Sequence, residues 1–150
     1  MAIDKADWHW DEAEKAFRGR TGKTGELTEE QQDEIWHYAA DHIGLFLRWI
    51  IDNGFESEDE DFADPMYCER VRSGSMTGAE YLMSNCDGKL CEEDLCGDIV
   101  PFVLDYYEQY LKDYFAVVAS SGCYSLISGD KEYNKIRPVI DKAYENFTSK

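Results

Sequence analysis

Gly22-Lys23-Thr24 has the ending of a loop that cradles phosphate with backbone amides and a lysine. Such a loop also needs a glycine where Phe17 stands and a strand before it, and a helix is expected there instead. The stretch from Arg18 to Gly25 therefore reads as a flexible connection rather than a nucleotide site. Asn85-Cys86-Asp87-Gly88-Lys89-Leu90 carries the oxygen ligands, the turn glycine and the following apolar residue of a calcium loop. Its leading ligand position holds Met83, and its last holds Asp94 where calcium takes a bidentate glutamate. A plain turn is expected, with Asp87 capping local amides.

Cys86, Cys91 and Cys96 recur with four residues between neighbours. Structural zinc uses cysteine pairs together with a second pair, and Cys68, His9 and His37 supply no such partner pair. Free thiols are the expectation, with no metal ligand, no cofactor and no catalytic residue assigned. His37 and Asp41 lie one turn apart on a helix and can touch. A His-Asp pair orients a general base only beside a nucleophile, and the sequence places no serine or cysteine for that role. The chain is not expected to be an enzyme.

What remains is charge and aromatic surface. Glu56, Glu58, Asp59, Glu60 and Asp61 form an acidic loop without a basic residue. Tyr106, Tyr107, Tyr110 and Tyr114 cover more than one side of a later helix, which makes core of most and leaves Tyr107 as a candidate for exposure. Carboxylates beside an exposed tyrosine suit docking of a basic protein, since tyrosine is enriched in interface cores and charge speeds encounter. The candidate protein-binding residues are Glu56, Glu58, Asp59, Glu60, Asp61 and Tyr107.

Helices must position these groups. Thr28-Glu29-Glu30-Gln31 is a capping box, and Ile35, Ala39, Ile43, Phe46, Leu47 and Ile50 follow at helical spacing until Asn53-Gly54. A second stripe (Tyr38, His42, Leu45, Trp49) leaves only Glu34, His37, Asp41, Arg48 and Asp52 as a polar strip, with Gly44 in its middle. A helix so widely apolar is central and packed on several sides. Gly44 would let another backbone come close. Further helices are expected over Asp7 to Phe17, from the capping box Thr77-Gly78-Ala79-Glu80, from a cap at Asp98, and over about Asp130 to Phe147, where Pro138 should kink or split the helix. Ser120-Ser121-Gly122 should end the helix that starts at Asp98. Cys123 to Ile127 is the one candidate for extended chain. The fold class is all-α with at most a minor strand: a single domain over residues 1–150 around a central helix from about Thr28 to Asn53.

The totals agree. A chain of 150 residues with 43% apolar and 14% aromatic residues can bury a core despite its net charge of −17. That charge repels nucleic acid and anionic membranes and favours basic partners. No basic-then-apolar leader and no membrane-length apolar run are present, so a cytoplasmic protein with reduced cysteines is expected.

The segments Trp8-His9, His42-Ile43-Gly44-Leu45-Phe46-Leu47-Arg48-Trp49, Asn53-Gly54, Cys86-Asp87-Gly88-Lys89-Leu90 and Tyr106 to Tyr114 resemble a family of small acidic bacterial proteins of unknown function. Proteins of this kind are similar in size and charge to immunity proteins of bacterial toxin systems. The resemblance implies an immunity-type inhibitor that neutralises a basic toxin, and it carries over no catalytic residue. Two other classes are weighed against it: a nucleic-acid mimic, from a phage or mobile element, that blocks a DNA- or RNA-binding defence protein, and a metal-binding module or enzyme.

Overall fold

The computed structural model describes residues 2–120, 122 and 124–150. Among them are six α-helices and one two-stranded sheet. The elements are β1 (Ala2–Lys5), α1 (Trp10–Thr21), α2 (Glu29–Asp52), α3 (Pro65–Ser73), α4 (Gly78–Asn85), β2 (Lys89–Cys91), α5 (Val100–Val117) and α6 (Asp130–Thr148), with short 3₁₀ turns before α1 and between β2 and α5.

The central helix begins where its capping box requires. Thr28 Oγ1 accepts from the Gln31 amide at 3.1 Å, and Gln31 Oε1 accepts from the Thr28 amide at 2.9 Å. Residues 39–47 of α2 are all buried, because α1, α3, α4 and α6 pack around it. Gly44 is the point of closest approach. A methyl group there would stand 2.7 Å from Ala79 Cα, and one on Gly78 would overlap the Gly44 carbonyl. Thr77 and Glu80 close the second capping box and start α4 at that crossing. Trp49, Phe55, Phe102, Tyr144 and Phe147 build an aromatic cluster that joins α2, α5 and α6.

Several elements differ from expectation. Asp64 caps an unexpected helix, accepting from the Met66 amide at 2.8 Å with Pro65 in the first turn. Asp98 caps nothing; it lies exposed in a 3₁₀ turn, and α5 starts at Val100 with Pro101 in its first turn. Pro138 neither splits nor ends α6, since it and Asn134, whose carbonyl loses its bond, face solvent. Tyr124–Ile127 form no strand, and Ser121 and Cys123 lie outside the described residues. The strands lie elsewhere. β1 pairs antiparallel with β2 through Ala2–Cys91, Asp4–Leu90 and Lys5–Lys89, and the register slips between Ala2 and Asp4. No helix among the described residues is long and apolar enough to cross a membrane.

Candidate functional site

The slip in β1 has a local effect. A bulge re-aims a side chain, and Asp4 is the one residue of β1 turned fully inward, 3% exposed. The chain then turns through Ala6–His9 and brings His9 back over the Asp4 carboxylate, with His9 Nε2 at 2.7 Å from Asp4 Oδ1. His42, 1% exposed in the middle of α2, places its Nε2 at 3.1 Å from Asp4 Oδ2 and 3.2 Å from His9 Nε2. The two imidazoles meet edge to face, centroids 4.3 Å apart.

Tyrosines line this polar centre. Tyr107 donates its hydroxyl to Asp4 Oδ2 at 2.7 Å, and the Lys5 amide donates to Asp4 Oδ1 at 2.8 Å. The Tyr124 hydroxyl lies 2.7 Å from His9 Nδ1. One turn along α5 from Tyr107, Tyr110 donates to the His42 carbonyl. A further turn on, Tyr114 donates to Asp41, which also accepts from the Ser128 amide at 2.7 Å and the Ser128 hydroxyl at 2.6 Å. Tyr107, Tyr110 and Tyr114 thus point one stripe of hydroxyls at α2 and β1.

The electrostatics follow from burial and contact. Burial alone would raise the Asp4 carboxyl, but hydrogen bonds from His42 and His9 outweigh it and hold the group well below the usual carboxylate range. His42 is pushed down by burial despite Asp4, so the neutral ring is favoured. Asp41 is the reverse case from Asp4: burial raises it more than Ser128 and Tyr114 lower it. Burial, with Asp4 close by, keeps Tyr107 protonated.

The acidic loop occupies another face. Glu58, Asp59, Glu60 and Asp61 are exposed, whereas Glu56 is half-buried and paired with Arg72. Phe62 and Met66 stand beside them, 42% and 68% exposed. Glu58, Asp59 and Asp98 share a shallow depression of about 410 Å³ with Ser57, Leu95 and Cys96.

Residues 2–126 match the model of a family described as a domain of unknown function, DUF7832. The chain belongs to this family. No curated protein and no solved structure matches it. The DUF7832 segment holds Asp4, His9, His42, Tyr107, Tyr124 and the acidic loop, while Ser128 and α6 lie beyond it.

Within that segment the structure corrects two pairings. Tyr107 is 6% exposed and spends its hydroxyl on Asp4, so it leaves the docking surface. His37 does not pair with Asp41. Its Nδ1 lies 2.9 Å from the Asp33 carbonyl, and Asp41 turns into the core. Asn85 holds the loop together, accepting from the Asp64 amide and donating to the Phe62 carbonyl, which occupies the side-chain oxygen that a calcium loop would take from Asn85. Cys68, Cys86, Cys91 and Cys96 are free thiols, and burial with Asp94 nearby pushes Cys86 up to about 12. Among the described residues, the three side chains whose ligand atoms converge are Asp4, His9 and His42. Sequence reading assigned none of them. By spacing His9 pairs with no ligand motif, and His42 falls in an apolar stripe. The one available signal was the type of residue, a histidine in a stripe that otherwise carries Tyr38, Leu45 and Trp49.

Proposed function

We propose that the protein works by binding a basic protein, as an immunity-type inhibitor that covers a cationic toxin. The observation that supports this reading is the exposed edge from Glu58 to Met66. Four exposed carboxylates there precede two exposed apolar side chains, Phe62 and Met66, and no lysine or arginine occurs between Asn53 and Cys68. Interfaces concentrate their energy in a few large apolar anchors inside a polar rim. Uncompensated carboxylates in that rim steer a basic partner inward and discriminate against acidic ones. The net charge of −17 acts in the same direction over longer range.

The experiment captures basic proteins on the tagged chain and then co-expresses the captured protein with it, scored by growth and by isolation of the complex. Wild-type chain should rescue growth and co-purify at one to one. A variant carrying Glu58→Gln, Glu60→Gln, Asp61→Asn and Phe62→Ala should fold but lose both, and added salt should weaken the wild-type complex. Full rescue by that variant, or a complex indifferent to salt, would refute the reading.

A further inference from the structure

We propose that Asp4, His9 and His42 form a site for one divalent transition-metal cation of the zinc class. The donors come from three places: a bulged strand, the turn that follows it, and the middle of the central helix. Nothing in the sequence distance between Asp4 and His42 would bring them together. Yet one ligand atom from each lies within 4.8 Å of the others.

The nitrogen–nitrogen separation has the scale a metal imposes. With metal–nitrogen bonds of about 2.0–2.1 Å, two ligands on a tetrahedral zinc stand about 3.3 Å apart. His9 Nε2 and His42 Nε2 are 3.2 Å apart. Both also face the Asp4 carboxylate, at hydrogen-bond distances of 2.7 and 3.1 Å, so the His9–Asp4 contact would lengthen by about 0.5 Å on loading.

Proton accounting points the same way. If hydrogen bonds alone held this cluster, each Nε2 would carry a proton donated to Asp4. Each N–H then has its own Asp4 oxygen, but the two like-directed N–H dipoles stand side by side with their nitrogens only 3.2 Å apart. If either Nε2 were bare, its lone pair would face a carboxylate oxygen. A cation at the point of convergence removes both conflicts, because both lone pairs and the carboxylate then address one positive charge.

The surroundings match a metal's outer shell. A ligating histidine donates its other ring N–H to a fixed partner, and a ligating carboxylate is itself hydrogen-bonded. His9 Nδ1 has the Tyr124 hydroxyl at 2.7 Å, and Asp4 receives Tyr107 and the Lys5 amide. Tyr124 holds a positive φ of 55°, a conformation that non-glycine residues keep only where surroundings enforce it. Two nitrogens and one oxygen favour zinc, iron, cobalt or nickel over calcium and magnesium, which take all-oxygen sets. Three protein ligands leave a coordination position. His9 is the least buried of the three, its side chain keeping 18% exposure. The site is independent of the acidic face and of any partner bound there.

The full chain, stripped with chelator and dialysed, is titrated with zinc by calorimetry and with cobalt by visible absorption. We expect one equivalent of each, a cobalt spectrum of low coordination number, and a rise in Tm with zinc. His9→Gln, at the least buried ligand, should lower zinc affinity at least 100-fold while the protein still folds. His42→Ala should do the same, but its deep burial makes His9→Gln the deciding variant. Tyr124→Phe should cost about 10–100-fold through the lost outer-shell bond. Cys86→Ser with Cys91→Ser should change nothing. Absence of binding to the wild type, or equal zinc response from wild type and His9→Gln, would overturn the site in favour of a metal-free Asp-His-His network.

Discussion

Gly44 of α2 and Gly78 of α4 meet backbone to backbone, so closely that neither position has room for a methyl group. The obstacle on each side is main chain, which cannot rotate away as a side chain would. Gly44→Ala should therefore fall at the upper end of overpacking costs, about 3 kcal/mol. Gly19→Ala, in α1 with nothing within 4 Å, should instead stabilise by about 0.5–1 kcal/mol. Urea unfolding of the two variants gives opposite shifts in midpoint if the crossing is as tight as described.

Tyr107→Phe removes one of the donors that hold the Asp4 carboxylate in the interior. A buried charged acceptor deprived of a donor costs about 1–3 kcal/mol. The loss should appear in the unfolding midpoint, with binding of a basic partner unchanged. A weakened complex at unaltered stability would return Tyr107 to the surface role its sequence position suggests.

Asp41 supplies a pH dependence with a definite sign. Burial raises its folded pKa above the unfolded 3.8. Its contribution to stability is thus complete below that value and is lost as pH rises through the raised one. Asp41→Asn cannot ionise and still offers Ser128 an acceptor. The stability of the variant relative to wild type should increase from pH 4 towards neutrality. Parallel curves for the two proteins would show that Asp41 ionises freely.

Thiol chemistry offers a fourth check. Cys86, pushed up to about 12 by burial and by Asp94, should stay protonated and alkylate far more slowly in the folded protein than after denaturation. Peptide mapping after brief treatment at neutral pH reads this directly. Rapid labelling of Cys86 would show the pocket beside Asp94 to be open.

Helix ends were the most legible part of the chain. Thr28 with Gln31, and Thr77 with Glu80, are reciprocal side-chain caps whose geometry is local, so four residues suffice to announce them. Gly44 was also readable, because a glycine on a well-formed helix implies a close neighbour. The helix at Pro65 announced itself by the same chemistry, Asp64 before a proline, but was hidden under the charge of the preceding loop. Asp98 showed the converse: a residue type that caps, placed where the chain has already turned into 3₁₀ geometry. The polar centre was illegible for a different reason. Asp4, His9 and His42 converge only because β1 slips its register and α2 is enclosed on all sides, and neither event leaves a mark on spacing. Tyr107 was misplaced because helical periodicity gives a face but not what covers it.

The tryptophans have a practical consequence. Trp49 is 1% exposed in the aromatic cluster and donates to Asp141 at 2.8 Å, whereas Trp8 is 59% exposed, next to His9 in the turn after β1. Of the chain's four tryptophans these two are the extremes, while Trp10 and Trp36 are half-buried with ring centroids 4.5 Å apart. In a Trp10→Phe, Trp36→Phe background a soluble quencher should silence Trp8 while sparing Trp49, so that events at the N-terminal turn and melting of the core can be followed separately, without a label.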